Sequence, residues 1–288
     1  MIPAQFEYQA PTSVDEAIKA IASLGDRGKV VAGGHSLIPI MKLRLAQPEV
    51  LVDIGRIGEL RYIRADGDRL ALGALATHAE VLRSSAVKEM APVLAETAAE
   101  IGDQQVRNRG TIGGSLAHAD PAADYPATIL ALDAEIVAQG PNGRRTIKAT
   151  DFFTGMLATA LAPDELIVEV RVPVQGKGSG STYLKMPNKA SHYAVVGVAA
   201  LVRLDGGKVA SLALAITGAG AQPLRARAVE SALQGQTPSE DAVARAAGSA
   251  ADGLDLLSDI HGSADYRAHI ARVFAKRAIL EAVRRAGG

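Results

Sequence analysis

The chain has 288 residues with no cysteine and no tryptophan, and its aromatic residues are six tyrosines and four phenylalanines. Without cysteine there are no disulfides, no thiol nucleophile, no iron–sulfur ligands and no cysteine-linked cofactor. So few aromatics leave no stacking platform for single-stranded nucleic acid. Lys plus Arg and Asp plus Glu both number 31, for a formal net charge of zero. That balance argues against nucleic acid or an anionic membrane surface as the main partner. No apolar run nears the roughly 20 residues of a membrane-spanning helix. The six histidines, His35, His78, His118, His192, His261 and His269, form no HExxH pair and no local cluster with carboxylates. A zinc enzyme is therefore not expected. GxGxxG after a strand and GxxxxGK[ST] are both missing, so neither a Rossmann fingerprint nor a P-loop is present. The opening MIPAQFEYQAP has no basic segment running into an apolar one, and a cytoplasmic location is the expectation.

What is present is an alternation of short apolar runs and turn signals. Ser13-Val14-Asp15-Glu16 reads as a capping box ahead of a helix whose apolar residues are Ala17, Ile18, Ile21 and Leu24. Strands are expected over 29–33, 50–54, 69–77, 135–139, 145–149, 165–174, 194–204 and 209–217. Helices are expected over 88–101, 124–132, 224–234, 238–253 and 263–286. QGKGSGS (175–181) reads as a flexible linker, and a domain boundary is placed near 177. The basic residues of the last helix, Arg267, Arg272, Lys276, Arg277, Arg284 and Arg285, read as a solvated face.

Two Gly-Gly pairs carry the chemistry. Ala32-Gly33-Gly34-His35-Ser36 and Thr111-Ile112-Gly113-Gly114-Ser115 each leave an apolar segment and have hydroxyl residues beside them. Glycine lets backbone N–H groups approach an anion, and successive N–H groups form an anion-binding nest. Two such loops would grip the two phosphates of a dinucleotide, although each alone is equally readable as a plain turn. Arg107 and Arg109, just before the second loop, would steer phosphate or form surface ion pairs. His118 and Asp120 read as loop residues, with Asp120 organising the turn before Pro121. Asp124 stands where a helix N-cap belongs.

AGGHSLIPIMKLRLA, RNRGTIGGSLAHADPAADYPA and YLKMPNKASHYAVVGVAA together resemble the flavin-binding medium subunits of the molybdenum hydroxylases, above all those of the aerobic carbon monoxide dehydrogenase branch. The resemblance spans nearly the whole chain. It implies an α+β fold: a two-subdomain FAD-binding domain of the vanillyl-alcohol-oxidase-like (PCMH) type over 1–177, with a small lobe to about 55 and a larger lobe from about 56. A C-terminal domain of antiparallel strands packed with helices, 178–288, would follow. By the same resemblance, Ala32–Ser36 and Thr111–Ser115 clasp the FAD pyrophosphate and Asp124 contacts the cofactor. Leu166 or Ile167 packs against its flavin or adenine side. Lys185 lies near the isoalloxazine ring, as a donor to N1 or O2, and Tyr193 lies beside it. Ser115 stands where relatives often have Asn, and it reaches less far. FAD would be bound non-covalently, with His35 a partly buried donor to the phosphate loop.

The resemblance also implies an electron-transfer subunit of a heteromeric oxidoreductase. A large partner would carry the molybdenum cofactor, and a small partner would carry two two-iron two-sulfur clusters. The heterotrimers would pair, stay in the cytoplasm or at the inner face of the membrane, and pass electrons to a quinone, a cytochrome or oxygen. Carbon monoxide is the expected substrate of the complex. A related hydroxylase of aldehydes, purines or N-heterocycles, and a self-contained FAD oxidoreductase, are the alternatives.

Overall fold

A computed structural model describes residues 1–287. The N-terminal segment is β1 (Glu7–Gln9), α1 (Val14–Leu24), β2 (Gly28–Val31), α2 (Leu37–Lys42) and β3 (Val50–Asp53). Its three strands form a parallel sheet in the order β1-β3-β2, with Val31 opposite Asp53. Ser13 Oγ accepts the Glu16 N–H, which caps α1. The Glu16 carboxylate turns back to the Thr12 N–H rather than to that of Ser13, so the box closes one residue early.

The next segment runs β4 (Ile63–Asp66), β5 (Arg69–Gly73), α3 (His78–Arg83), α4 (Ser85–Met90), α5 (Pro92–Glu100), α6 (Gln104–Arg109), α7 (Ile112–His118), α8 (Tyr125–Ala131), β6 (Glu135–Gly140), β7 (Gly143–Lys148), α9 (Ala149–Phe152), β8 (Phe153–Gly155), β9 (Ala158–Thr159) and β10 (Leu166–Pro173). Five of these strands make an antiparallel sheet, β4-β5-β10-β6-β7. The single helix expected over 88–101 is broken into α4 and α5. Pro92 bars its predecessor from the helical region, and Ala91 sits at φ −150°.

The last segment is β11 (Ser179–Pro187), β12 (Ala194–Asp205), β13 (Lys208–Thr217), β14 (Leu224–Arg225), α10 (Arg227–Leu233), α11 (Glu240–Ala247) and α12 (Ala264–Ala286). Its antiparallel sheet follows the order β11-β12-β13-β14. Alternation decides what each face covers. Val196, Val198, Ala200 and Val202 join the core under α10, α11 and α12. Tyr183, Ala199, Ala213 and Ala215 point the other way, into the core built by α5, α7 and α8.

Three expectations are corrected here. The linker is shorter than QGKGSGS, because Ser179, Gly180 and Ser181 already pair with Arg203, Val202 and Leu201. Gly180 is there for contact, since a Cβ on it would lie 2.1 Å from the Ala282 carbonyl of α12. The basic face of α12 is not wholly solvated. Arg267 is buried, donating to the carbonyls of Val195 and Gly218 and to both oxygens of Asp259. The second glycine pair is no loop at all: Gly113 and Gly114 lie in the first turn of α7.

Candidate functional site

The first glycine segment leaves the carboxyl end of β2, at one edge of the parallel sheet. Gly34 takes φ +78°, a conformation that costs an L side chain about 1–2 kcal/mol. Ile38 N–H donates to the Gly34 carbonyl, but the N–H groups of Gly33, Gly34, His35, Ser36 and Leu37 have no acceptor among the described residues. Consecutive free amides around a left-handed glycine are the makings of an anion nest.

The second segment is used differently. Ile112 N–H donates to the Ala76 carbonyl, Gly113 N–H to Ala74, Gly114 N–H to Thr111 Oγ1 and Ser115 N–H to the Thr111 carbonyl. All four amides are consumed, so the expectation of two amide nests holds for one segment only. Gly113 is required by packing, since its Cβ would lie 2.7 Å from the Ala74 carbonyl. What this segment offers a ligand is the exposed face of Gly114 and the half-buried Ser115 hydroxyl.

The structure brings the two segments together. A Cβ on Gly33 would lie 2.2 Å from the Arg109 carbonyl and 2.8 Å from Gly110 Cα, and one on Gly114 would lie 3.9 Å from Ala32 Cβ. Between them opens a cleft lined by Ala32, Gly33 and Thr111. Its other wall holds Asp53, Arg56, Arg61 and Asn108, which sequence reasoning missed. Arg109 also faces this cleft, whereas Arg107 is spent on the carbonyls of Ala99, Ile101 and Gly102 at the end of α5. His35 is exposed, not partly buried.

His78 is the histidine beneath the site. Its N–H donates to the Gly110 carbonyl, and its Nε2 lies where a Gly110 Cβ would be. Burial, then His35 and Arg107, lower its pKa to about 4. Its Nδ1 and the hydroxyl of Tyr125, whose ring centroid is 5.3 Å away, are buried without a protein partner.

Asp124, Lys185 and Tyr193 mark the seam with the C-terminal sheet. Asp124 precedes α8 but its side chain does not cap it. The carboxylate instead accepts from Tyr183 Oη at 2.6 Å and from Lys185 Nζ at 3.0 Å. Burial pushes it up to about 6, against the pull of Lys185 and Tyr183. Lys185 Nζ also donates to the Glu100 carbonyl at 2.6 Å and is itself buried. Its ammonium is thus committed to protein partners rather than presented as a free donor. Tyr193 closes a tight loop in which Asn188 Oδ1 accepts the N–H groups of Ala190 and Ser191. Burial and the nearby Asp120 raise its hydroxyl, while Ser36 of the first glycine segment draws it down. Asp120 accepts the Ala122 N–H and fixes the intervening turn. Leu166 and Ile167 lie in the core, on opposite faces of β10. Neither reaches the cleft, because β10 is central in its sheet and covered on both sides.

Residues 4–175 match the family described as the FAD binding domain in molybdopterin dehydrogenase, and residues 181–282 match the CO dehydrogenase flavoprotein C-terminal domain. The chain belongs to this flavoprotein family. Among its relatives, the carbon monoxide dehydrogenase medium chain of Hydrogenophaga pseudoflava is 44% identical, covering 97% of each chain. The 6-hydroxypseudooxynicotine dehydrogenase complex subunit alpha of Paenarthrobacter nicotinovorans is 40% identical over 99% of this chain and 97% of its own. A solved carbon monoxide dehydrogenase of H. pseudoflava, in a form lacking the Mo-pyranopterin moiety, superposes with TM-score 0.97 at 45% identity, covering 99% of both chains. Quinoline 2-oxidoreductase of Pseudomonas putida 86 gives TM-score 0.94 at 34% identity over 99% of both.

FAD is the cofactor of this flavoprotein family, and the residues present fit it. A run of free amides suits a diphosphate, and the Gly33 contact holds the two segments at one edge of the cleft. Among the described residues no group of three His, Asp or Glu side chains is placed to hold a metal ion. No described helix is long and apolar enough to cross a membrane.

Proposed function

We infer that this chain holds FAD between the two glycine segments and relays electrons within a carbon monoxide-oxidising complex of the molybdenum hydroxylase type. The observation that carries the reading is the run of five free amides from Gly33 to Leu37 against the Arg109–Gly110 backbone. The 44% identity to a carbon monoxide dehydrogenase medium chain supports the substrate.

Within this reading the amides of Gly33 to Ser36 bind the diphosphate, and the Ser115 hydroxyl adds a donor from the second segment. When bound, FAD supplies two-electron storage with one-electron exchange. Asp124, Lys185 and Tyr183 orient the seam on which Tyr193 stands, and Tyr193 flanks the ring. Leu166 supports the first segment from below, through the cluster it shares with Leu75 and Ala32, while Ile167 packs the opposite core.

The same proposal includes a large molybdenum subunit, a small iron–sulfur subunit and pairing of two heterotrimers. It places the domain boundary at 177, between the two family matches. A quinone or cytochrome acceptor and a cytoplasmic site at the membrane's inner face complete it. The native mass of the purified complex, acceptor assays and cell fractionation test these points.

The deciding experiment is a visible spectrum of the complex with and without carbon monoxide. Acid-releasable FAD that bleaches with carbon monoxide supports the whole reading. Bleaching only with an N-heterocycle or an aldehyde would move the substrate and keep the role, an outcome that the 40% identical pseudooxynicotine relative makes specific. Absence of flavin from the intact complex would overturn the proposal.

A further inference from the structure

The loop that carries Tyr193 is held from outside the dinucleotide cleft. It joins β11 to β12 over residues 188–193 and brings the Tyr193 hydroxyl beside Ser36 of the first glycine segment. Asn188 is its hub. The Asn188 N–H donates to the Tyr193 carbonyl at 2.7 Å, and the Asn188 carbonyl accepts the His192 N–H at 2.9 Å. Oδ1 of the Asn188 side chain accepts the N–H groups of Ala190 and Ser191 at 2.9 and 3.1 Å. His192 takes φ +61°, a left-handed conformation that L side chains seldom adopt. The loop keeps this shape only while Asn188 stays fixed.

What fixes Asn188 is His261, 73 residues further along the chain, whose Nδ1 lies 2.8 Å from Asn188 Nδ2. Oδ1 already accepts two backbone N–H groups, so the amide atom facing the imidazole is the donor. Nδ1 must then be the unprotonated ring nitrogen. A second proton would set donor against donor and end the bond. His261 is placed in turn by a buried anchor. Arg267 of α12 donates to both carboxylate oxygens of Asp259, at 2.7 and 2.8 Å, and Asp259 Oδ1 accepts the N–H groups of His261 and Gly262. The titratable groups around the contact are Asp259 and Arg267, which pair with each other, Asp265 and Tyr266 in the first turn of α12, and Lys189 and His192 in the loop.

We propose that His261 is a positioning residue for Tyr193: neutral, it pins Asn188 and holds the Tyr193 loop over the first glycine segment, and protonated at Nδ1 it releases the loop. Closure is favoured at high pH and is lost as pH falls through the range in which imidazoles charge. A neutral hydrogen bond changes the ratio of closed to open loop by roughly three- to tenfold. The consequence for the cofactor rests on the FAD reading above, whereas the latch itself does not.

The chain has no tryptophan, so Tyr193→Trp in the full chain puts a single emitter on the loop. In this background emission should move to the red between pH 8 and pH 5 as the loop opens. Adding His261→Asn, whose Oδ1 stands near the Nδ1 position and takes no proton, should keep the pH 8 emission down to pH 5. Adding His261→Ala should give the open emission at both pH values. Hydrogen exchange at the Ala190, Ser191 and His192 amides, corrected for the intrinsic effect of pH, reads the same opening in chains that keep Tyr193 and should follow the same order. In the assembled complex FAD should be held roughly three- to tenfold more weakly at pH 5 than at pH 8, and His261→Asn should cancel that loss. A pH response that His261→Asn leaves intact, or no response in the chain that keeps His261, would overturn the proposal. A latch that opens while FAD retention ignores it would leave the latch standing and overturn the placement of Tyr193 beside the flavin.

Discussion

At the scale of single residues, the two glycine segments work by contact as much as by conformation. Gly33 has no room for a side chain, because its Cβ would strike the Arg109 carbonyl at 2.2 Å. Gly33→Ala must push the segments apart, at a cost of about 2 kcal/mol of stability. It is expected to lower FAD affinity at least tenfold, read by flavin absorbance after gel filtration, while circular dichroism stays near wild type. His78 gives a second prediction. Its ordinary pKa of 6.5 falls to about 4 in the folded chain, chiefly through burial. The folded protein therefore refuses a proton that the unfolded chain accepts. The stabilisation is fully present above 6.5 and is lost as pH falls from 6.5 toward 4, by about 3 kcal/mol in total. Urea titrations over this window should show a pH slope that His78→Asn flattens.

Secondary-structure elements show how much was legible in the sequence. Period-2 alternation marks the long strands of the C-terminal sheet, and Ser13 caps α1 as its sequence indicates, accepting the Glu16 N–H at 3.3 Å. Both glycine pairs were legible as the candidate site, since glycine permits a close approach of backbone to a ligand. Their division of labour was not. Whether an amide is free depends on which carbonyl lies opposite it, and Ala74 and Ala76 are distant in sequence from Gly113 and Ile112. The same limit hid Gly180, where local glycine content reads as flexibility and the real cause is the crossing of α12. Arg267 was misread because helical spacing says nothing of the Val195 and Gly218 carbonyls that surround it. Arg267→Ala strands those carbonyls and the Asp259 carboxylate. It should cost about 2–4 kcal/mol in denaturant unfolding, mostly from the two buried carbonyls left without a donor. Arg272, held by one exposed bond to the Gly248 carbonyl, should cost under about 1 kcal/mol when changed to Ala.

Over the whole molecule, the proposed site draws on the parts of the chain on either side of the proposed boundary at 177, so what fastens them would also shape it. Arg285 of α12 reaches Glu96 of α5 and the Ser181 carbonyl, and Arg225 reaches the Leu130 carbonyl at the end of α8. The deepest fastening is Lys185 and Tyr183 on Asp124, which also carries the hairpin bearing Tyr193. Removing the cation exposes the logic of that seam. In Lys185→Met the Asp124 carboxyl stays buried with no counter-charge, and burial already raises it from 3.8 to about 6. Its folded value must then climb further, while the unfolded value stays near 3.8. A carboxyl raised in the folded state stabilises at low pH, and that contribution is lost as pH rises through the folded value. Lys185→Met should therefore melt close to wild type at pH 5 and far below it at pH 8, with a deficit of about 3–5 kcal/mol. Adding Asp124→Asn should remove the pH dependence and recover much of the loss. A deficit of equal size at both pH values would show that Lys185 acts by packing, not by charge.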